Sequence, residues 1–169
     1  MKHANIRRLT LAGLIAALYA VGTLALWQFS SLGIQCRLSE ALCVLPAAMG
    51  AAVPGVTVGC LIANLIGGNV WDVLFGTAAT LIGAVGTYLL GRHRVSRFFL
   101  PLPTVIANAA VLPFVLSYGY GFRDLLGFTH PAAVLALYAL SVAVGEAVVL
   151  YAVGLPLYAA IRHFLPAEH

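Results

Sequence analysis

Three carboxylates, Glu40, Asp72 and Glu146, stand in or beside long apolar stretches of this 169-residue chain. An ionised side chain placed in hydrocarbon costs roughly 2.5–3.5 kcal/mol on insertion scales. Each of the three therefore needs a cation, a hydrogen-bond donor or a ligand beside it. At about 1.5 Å per residue, Glu146 lies roughly 20 Å along its helix from Pro131, near the middle of a bilayer. No basic residue shares that neighbourhood, so a ligand contact and a buried proton relay both fit. Asp72 stands where a helix would begin and either caps it or binds. Arg37 and Glu40 are three apart and either pair with each other or meet a ligand. Asn64 and Asn108 fall near the depth of Glu146, as interhelical hydrogen bonds or as ligand contacts. Trp71 beside Asp72 offers a stacking face next to a carboxylate, which suits a planar ligand that donates hydrogen bonds. Phe75, Phe114, Tyr118, Tyr120, Phe122 and Tyr138 flank the same polar seam, most of them at depths where aromatic belts form.

Other chemistries lack their residues. His3, His93, His130, His163 and His169 lie at helix ends or tails, and none has a second ligand at helical spacing. Cys36, Cys43 and Cys60 form no C-x-x-C pair. Neither a metal site nor a disulfide framework is expected, and no cofactor. There is no G-x-x-x-x-G-K-[ST] loop, the only lysine is Lys2, and no G-x-S-x-G elbow or H-E-x-x-H helix is present. A binding or transport subunit is expected rather than an enzyme. The net charge of +4 comes from scattered residues and not from a basic run, so nucleic acid is not an expected partner.

The elements that would position the seam follow from composition. Hydrophobic residues make up 62% and charged residues 8%, against about 25% charged in a soluble domain. Six spans of roughly 20 residues would consume about 120 residues, leaving only short loops. Hydropathy predicts helices over 8–29, 41–53, 56–66, 71–90, 101–118 and 131–164. The second and third are short and form a hairpin broken at Pro54-Gly55, and Gly67-Gly68-Asn69 is turn chemistry. The first helix is long for a signal-peptide core and is expected to be retained. Lys2, Arg7 and Arg8, then Arg92, Arg94 and Arg97, then Arg162 fall on one side, with Arg37 and Arg123 opposite. The positive-inside rule puts both termini in the cytoplasm. The expectation is an all-α, polytopic membrane protein with six transmembrane helices, folded as a single integral membrane domain over residues 1–169.

The residues also resemble a known family. Cys36-Arg37-Leu38-Ser39-Glu40-Ala41-Leu42, with Val44-Leu45-Pro46 and Val53-Pro54-Gly55, looks like the signature of the QueT family. The likeness continues through Gly59 to Leu65, Asp72 to Thr77, Ala79-Thr80-Leu81, Pro101-Leu102-Pro103 and Asn108-Ala109. It closes with Gly145-Glu146 and Tyr151 to Leu157. Nearly the whole chain is covered in order.

That family comprises substrate-binding (S) components of energy-coupling factor (ECF) transporters for queuosine precursors. The resemblance implies an ECF S-component-like bundle in the bacterial cell membrane, a small-molecule substrate, a transmembrane coupling protein and two cytoplasmic ATPase subunits. It implies a ligand site in the outer half, formed by the helix 1–2 loop and helices 4 to 6. Such subunits carry small residues facing the coupling protein at a spacing that Ala12, Ala16 and Ala20 supply here; without the resemblance these are ordinary close packing. A deazaguanine base offers a ring N–H and an exocyclic amine that a carboxylate accepts side by side. An aminomethyl substituent adds a cation for a second carboxylate. Trp71 would stack on the base, Asn64 or Asn108 would meet its carbonyl, and Arg37 would hold Glu40. The alternatives are an autonomous proton-coupled permease with Glu146 as proton carrier, or an S component for a different vitamin.

Overall fold

The computed structural model describes residues 2–25, 37–67, 69–119, 121, 127 and 129–163. Several sequence expectations lie outside these residues: the end of the first helix and the loop after it, with Cys36, the Tyr120, Phe122 and Arg123 stretch, and the last residues from Phe164. The described chain is helical throughout, in six segments. These are α1 (Lys2–Ala25), α2 (Leu38–Ala47), α3 (Ala52–Gly67), α4 (Asp72–Arg92), α5 (Arg97–Gly119) and α6 (Pro131–Arg162). Four of them, α1, α4, α5 and α6, are long and apolar enough to cross a membrane. Six helical segments follow one another in the expected order, and four of them have the length of a membrane span, while α2 and α3 fall short. Ten residues of 3-10 helix reach about 20 Å and sixteen of α-helix about 24 Å, against a core of about 30 Å.

Close backbone approaches fix the directions of the helices. A methyl group built on Gly55 would meet the Ala12 carbonyl at 3.0 Å, and one on Gly59 the Ala16 carbonyl at 2.7 Å. Both chain positions advance together, so α1 and α3 run parallel. Gly83 packs on Thr104 and Gly86 on Pro103, which makes α4 and α5 antiparallel. Gly91, at the end of α4, lies against Ala47, at the end of α2, where an added methyl group would collide with the Ala47 backbone. The bundle therefore alternates in direction, and Arg7, Arg8, Arg92, Arg94, Arg97 and Arg162 gather at one end.

Pro54-Gly55 does not end the second helix as expected. It sits in the first turn of α3, where the missing proline N–H leaves no acceptor unsatisfied. The helix 2 segment stops earlier, at Ala47, and is wound as a 3-10 helix with Pro46 inside it. Runs of this geometry are usually three or four residues long; here burial sustains ten. Ser39, Glu40, Ala41, Cys43, Val44, Leu45 and Pro46 are all buried. This short helix is the plug of the bundle, packed on α1, α3, α4 and α6. Cys43, Val44, Leu45 and Met49 join Ile15, Tyr19, Val56, Cys60, Leu100 and Leu150 in the main apolar core. A second core, of Leu112, Leu116, Val134, Tyr138 and Val142, joins α5 to α6.

Three single π turns interrupt the long helices, at Asp72–Gly76, Val115–Gly119 and Leu150–Gly154. Such turns insert one residue into the helix and re-aim its side chains. At the third, a methyl group built on Gly154 would meet the Val44 side chain at 2.9 Å and the Ala41 carbonyl at 3.1 Å, so α6 closes directly on the plug.

Candidate functional site

Buried acidic side chains converge from three helices on the space around α2. Glu40 is 2% exposed, Asp72 4% and Glu146 4%. Glu40 is held from two sides. The Tyr19 hydroxyl on α1 donates to its Oε1, and the Cys43 thiol donates to its Oε2 at 3.0 Å. The cysteine contact follows from the 3-10 winding, in which residues three apart eclipse. One turn further along α1, Thr23 and Ser39 share a hydroxyl hydrogen bond of 2.7 Å, a second tie between α1 and the plug.

Asp72 faces Arg37 across 3.8 Å. Arg37 precedes α2 with an extended backbone, φ −89° and ψ 106°, so the helical three-residue spacing that would pair it with Glu40 does not hold there. Arg37 thus meets Asp72, a partner that neither sequence reading, pairing with Glu40 or contact with a ligand, names. Burial works against the Arg37 charge, yet the carboxylates of Asp72 and Glu40 nearby favour it, and the guanidinium stays protonated. Capping of the fourth helix also falls elsewhere. Helical winding begins at Val70, and Asn69 Oδ1 accepts the Trp71 N–H at 2.9 Å. Asn69 is the cap, and the Asp72 side chain is left for Arg37.

Asn64 bridges α3 and α4. Its Nδ2 donates to the Asp72 carbonyl at 2.8 Å and lies 3.4 Å from both the Cys60 sulfur and the Thr77 hydroxyl. Thr80 donates to the same sulfur at 3.2 Å. Gly76 makes room for this arrangement, since a methyl there would meet Asn64 Nδ2 at 3.3 Å and Asp72 Oδ1 at 3.4 Å. On the far side Asn108 Nδ2 donates to Glu146 Oε1 at 2.6 Å, joining α5 to α6. Glu146 and Glu40 lie near enough to act on each other electrostatically, as do Glu146 and Arg37. Glu146 Oε2 and Ser117 Oγ are the buried side-chain oxygens without a partner among the described residues.

The structure thus brings Arg37, Glu40, Asn64, Asp72, Asn108 and Glu146 into one buried polar seam. The aromatics divide differently. Trp71 and Phe75 are 48% and 45% exposed and stack on each other at 5.7 Å. Neighbours on a helix diverge by about 100°, so Trp71 faces outward while Asp72 faces in. Gly119 of α5 packs on Trp71, and a methyl group built there would meet the Trp71 side chain at 2.9 Å. Tyr138 is buried in the α5–α6 core. Ala16 and Ala20 are also buried, and the backbone of the row from Ala12 to Ala16 supports Gly55 and Gly59 of the same chain. Sequence reasoning missed Tyr19, Cys43 and Cys60 as members of the seam. A fully buried tyrosine needs a partner for its hydroxyl, and that was the available signal.

Comparison with known proteins gives one match. Residues 9–163 match the family described as QueT transporter. Neither the curated proteins nor the solved structures yield a match. A match over nearly the entire chain, on a helical bundle with four membrane-length helices, identifies the class of protein: the chain belongs to the QueT transporter family, a family of membrane transporters.

Proposed function

We propose that the chain is the substrate-binding membrane subunit of an ATP-driven ECF-type importer for a queuosine precursor, a deazaguanine such as the aminomethyl precursor, queuine or queuosine. The observation that carries the proposal is the buried seam itself, in which three buried carboxylates occur and Arg37 pairs with one of them, Asp72. Burying charge without compensation is costly, and a ligand that brings N–H donors and positive charge restores the balance. Family membership supports transport as the role of this seam. The chain carries no phosphate-binding loop, so ATP hydrolysis belongs to two cytoplasmic partner ATPases coupled through a transmembrane protein. That coupling protein meets the outward face of α1, where Gly13 and Ala17 are exposed. The arginine-rich end of the bundle lies in the cytoplasm, with both termini, in the bacterial cell membrane.

Uptake of radiolabelled aminomethyl deazaguanine into proteoliposomes tests the division of labour. Accumulation should require the coupling protein, both ATPases and internal or external ATP on their side. Accumulation by the chain alone, driven by a pH gradient, would contradict it.

A further inference from the structure

The carboxylates of the seam are not equally available. Glu40 has both oxygens occupied, by Tyr19 and Cys43, and Asp72 is engaged by Arg37. Glu146 has Oε1 taken by Asn108 at 2.6 Å, while Oε2 is buried with no partner among the described residues. We infer that Glu146 is the specificity-determining residue of the site and takes a ligand ammonium group on Oε2, leaving the base edge to other residues. The inference rests on the reading of the site as a deazaguanine site and assigns one chemical group of the ligand to one oxygen.

The geometry favours a point donor over a two-pronged edge. A ring N–H and exocyclic amine pair needs two parallel acceptor oxygens, and the Asn108 amide already sits on one of them. An ammonium group presents three donors around a single charge and needs one open oxygen. The surroundings agree in sign. Glu40 adds a second negative charge within electrostatic reach, and the competing cation, Arg37, is drawn toward Asp72. Asn108 then acts as a positioning residue that fixes the rotamer of the Glu146 carboxyl group.

Titration calorimetry on the detergent-purified full chain, with the aminomethyl and the cyano deazaguanines as paired probes, reads the inference as a ratio of affinities. Glu146→Gln should weaken the aminomethyl compound by about 100-fold, as for a buried charge pair losing one partner, and the cyano compound by less than about fivefold. Equal losses for both probes, or no loss for either, would overturn the assignment while leaving the site reading intact. A second measurement needs no variant. The native chain should bind the hydroxymethyl analogue, which lacks the charge, far more weakly than the aminomethyl compound, and equal affinity would overturn the inference. If the native chain binds none of the deazaguanines, the underlying reading falls and takes the inference with it.

Discussion

Tyr19 donates its phenol proton to Glu40 across the contact between α1 and α2, with both residues almost fully buried. The bond ties the first membrane helix to the short internal helix that plugs the bundle. Removing the hydroxyl leaves a buried carboxylate oxygen without its donor. Tyr19→Phe should therefore destabilise the chain by about 1–3 kcal/mol, read as a lowered Tm in detergent. An unchanged Tm would mean that Glu40 does not depend on Tyr19.

The approach of α1 to α3 makes a second prediction. A Cβ at Gly59 would lie 2.7 Å from both the Ala16 carbonyl and the Tyr19 Cβ, whereas one at Gly13 would meet nothing within 4 Å. Gly59→Ala should cost about 1–3 kcal/mol, as overpacking does, and displace Tyr19 from Glu40. Gly13→Ala is the matched control, with its Tm unchanged or slightly raised. Equal behaviour of the two variants would contradict the parallel packing of α1 on α3.

Capping of α4 supplies the third. Asn69→Ala removes the side-chain acceptor of the Trp71 N–H and should destabilise by about 1 kcal/mol, with Asn69→Asp close to native. Thermal unfolding of the pair separates loss of the cap from loss of the residue. If both fall equally, the cap is not what stabilises this turn.

How much of this was legible in the sequence can be followed through particular residues. The order of six helical segments was readable because long apolar runs broken by Gly, Pro and Arg carry a strong signal. Glu146 was legible at mid-depth from its apolar surroundings, whereas Glu40 and Asp72 read as outer helix starts and are found just as buried. Their partners were not legible. Tyr19 and Glu40 are joined across 21 positions, and nothing in an apolar helix distinguishes a tyrosine that donates to a carboxylate from one that packs. Helical spacing offered Glu40 as one partner for Arg37, and the extended backbone at Arg37 places it by Asp72. Trp71 and Asp72 look like a unit when written side by side, and helical geometry turns them about 100° apart, one outward and one inward.

Orientation in the membrane can be checked with thiol labelling in a Cys36→Ser background. Ser96, between α4 and α5, and Thr129, before α6, are both exposed. A membrane-impermeant reagent on whole cells should label Thr129→Cys and should reach Ser96→Cys only after permeabilisation. The reverse pattern would invert the assignment of the arginine-rich end to the cytoplasm.

The central claim is that this chain alone holds the substrate. Its most direct test is calorimetric titration of the purified chain with the aminomethyl deazaguanine, in detergent, without ATP or any other protein. The account predicts saturable, one-to-one binding, weakened in Asp72→Asn and in Glu146→Gln. Heats that never saturate, for this compound and equally for queuine and queuosine, would contradict it.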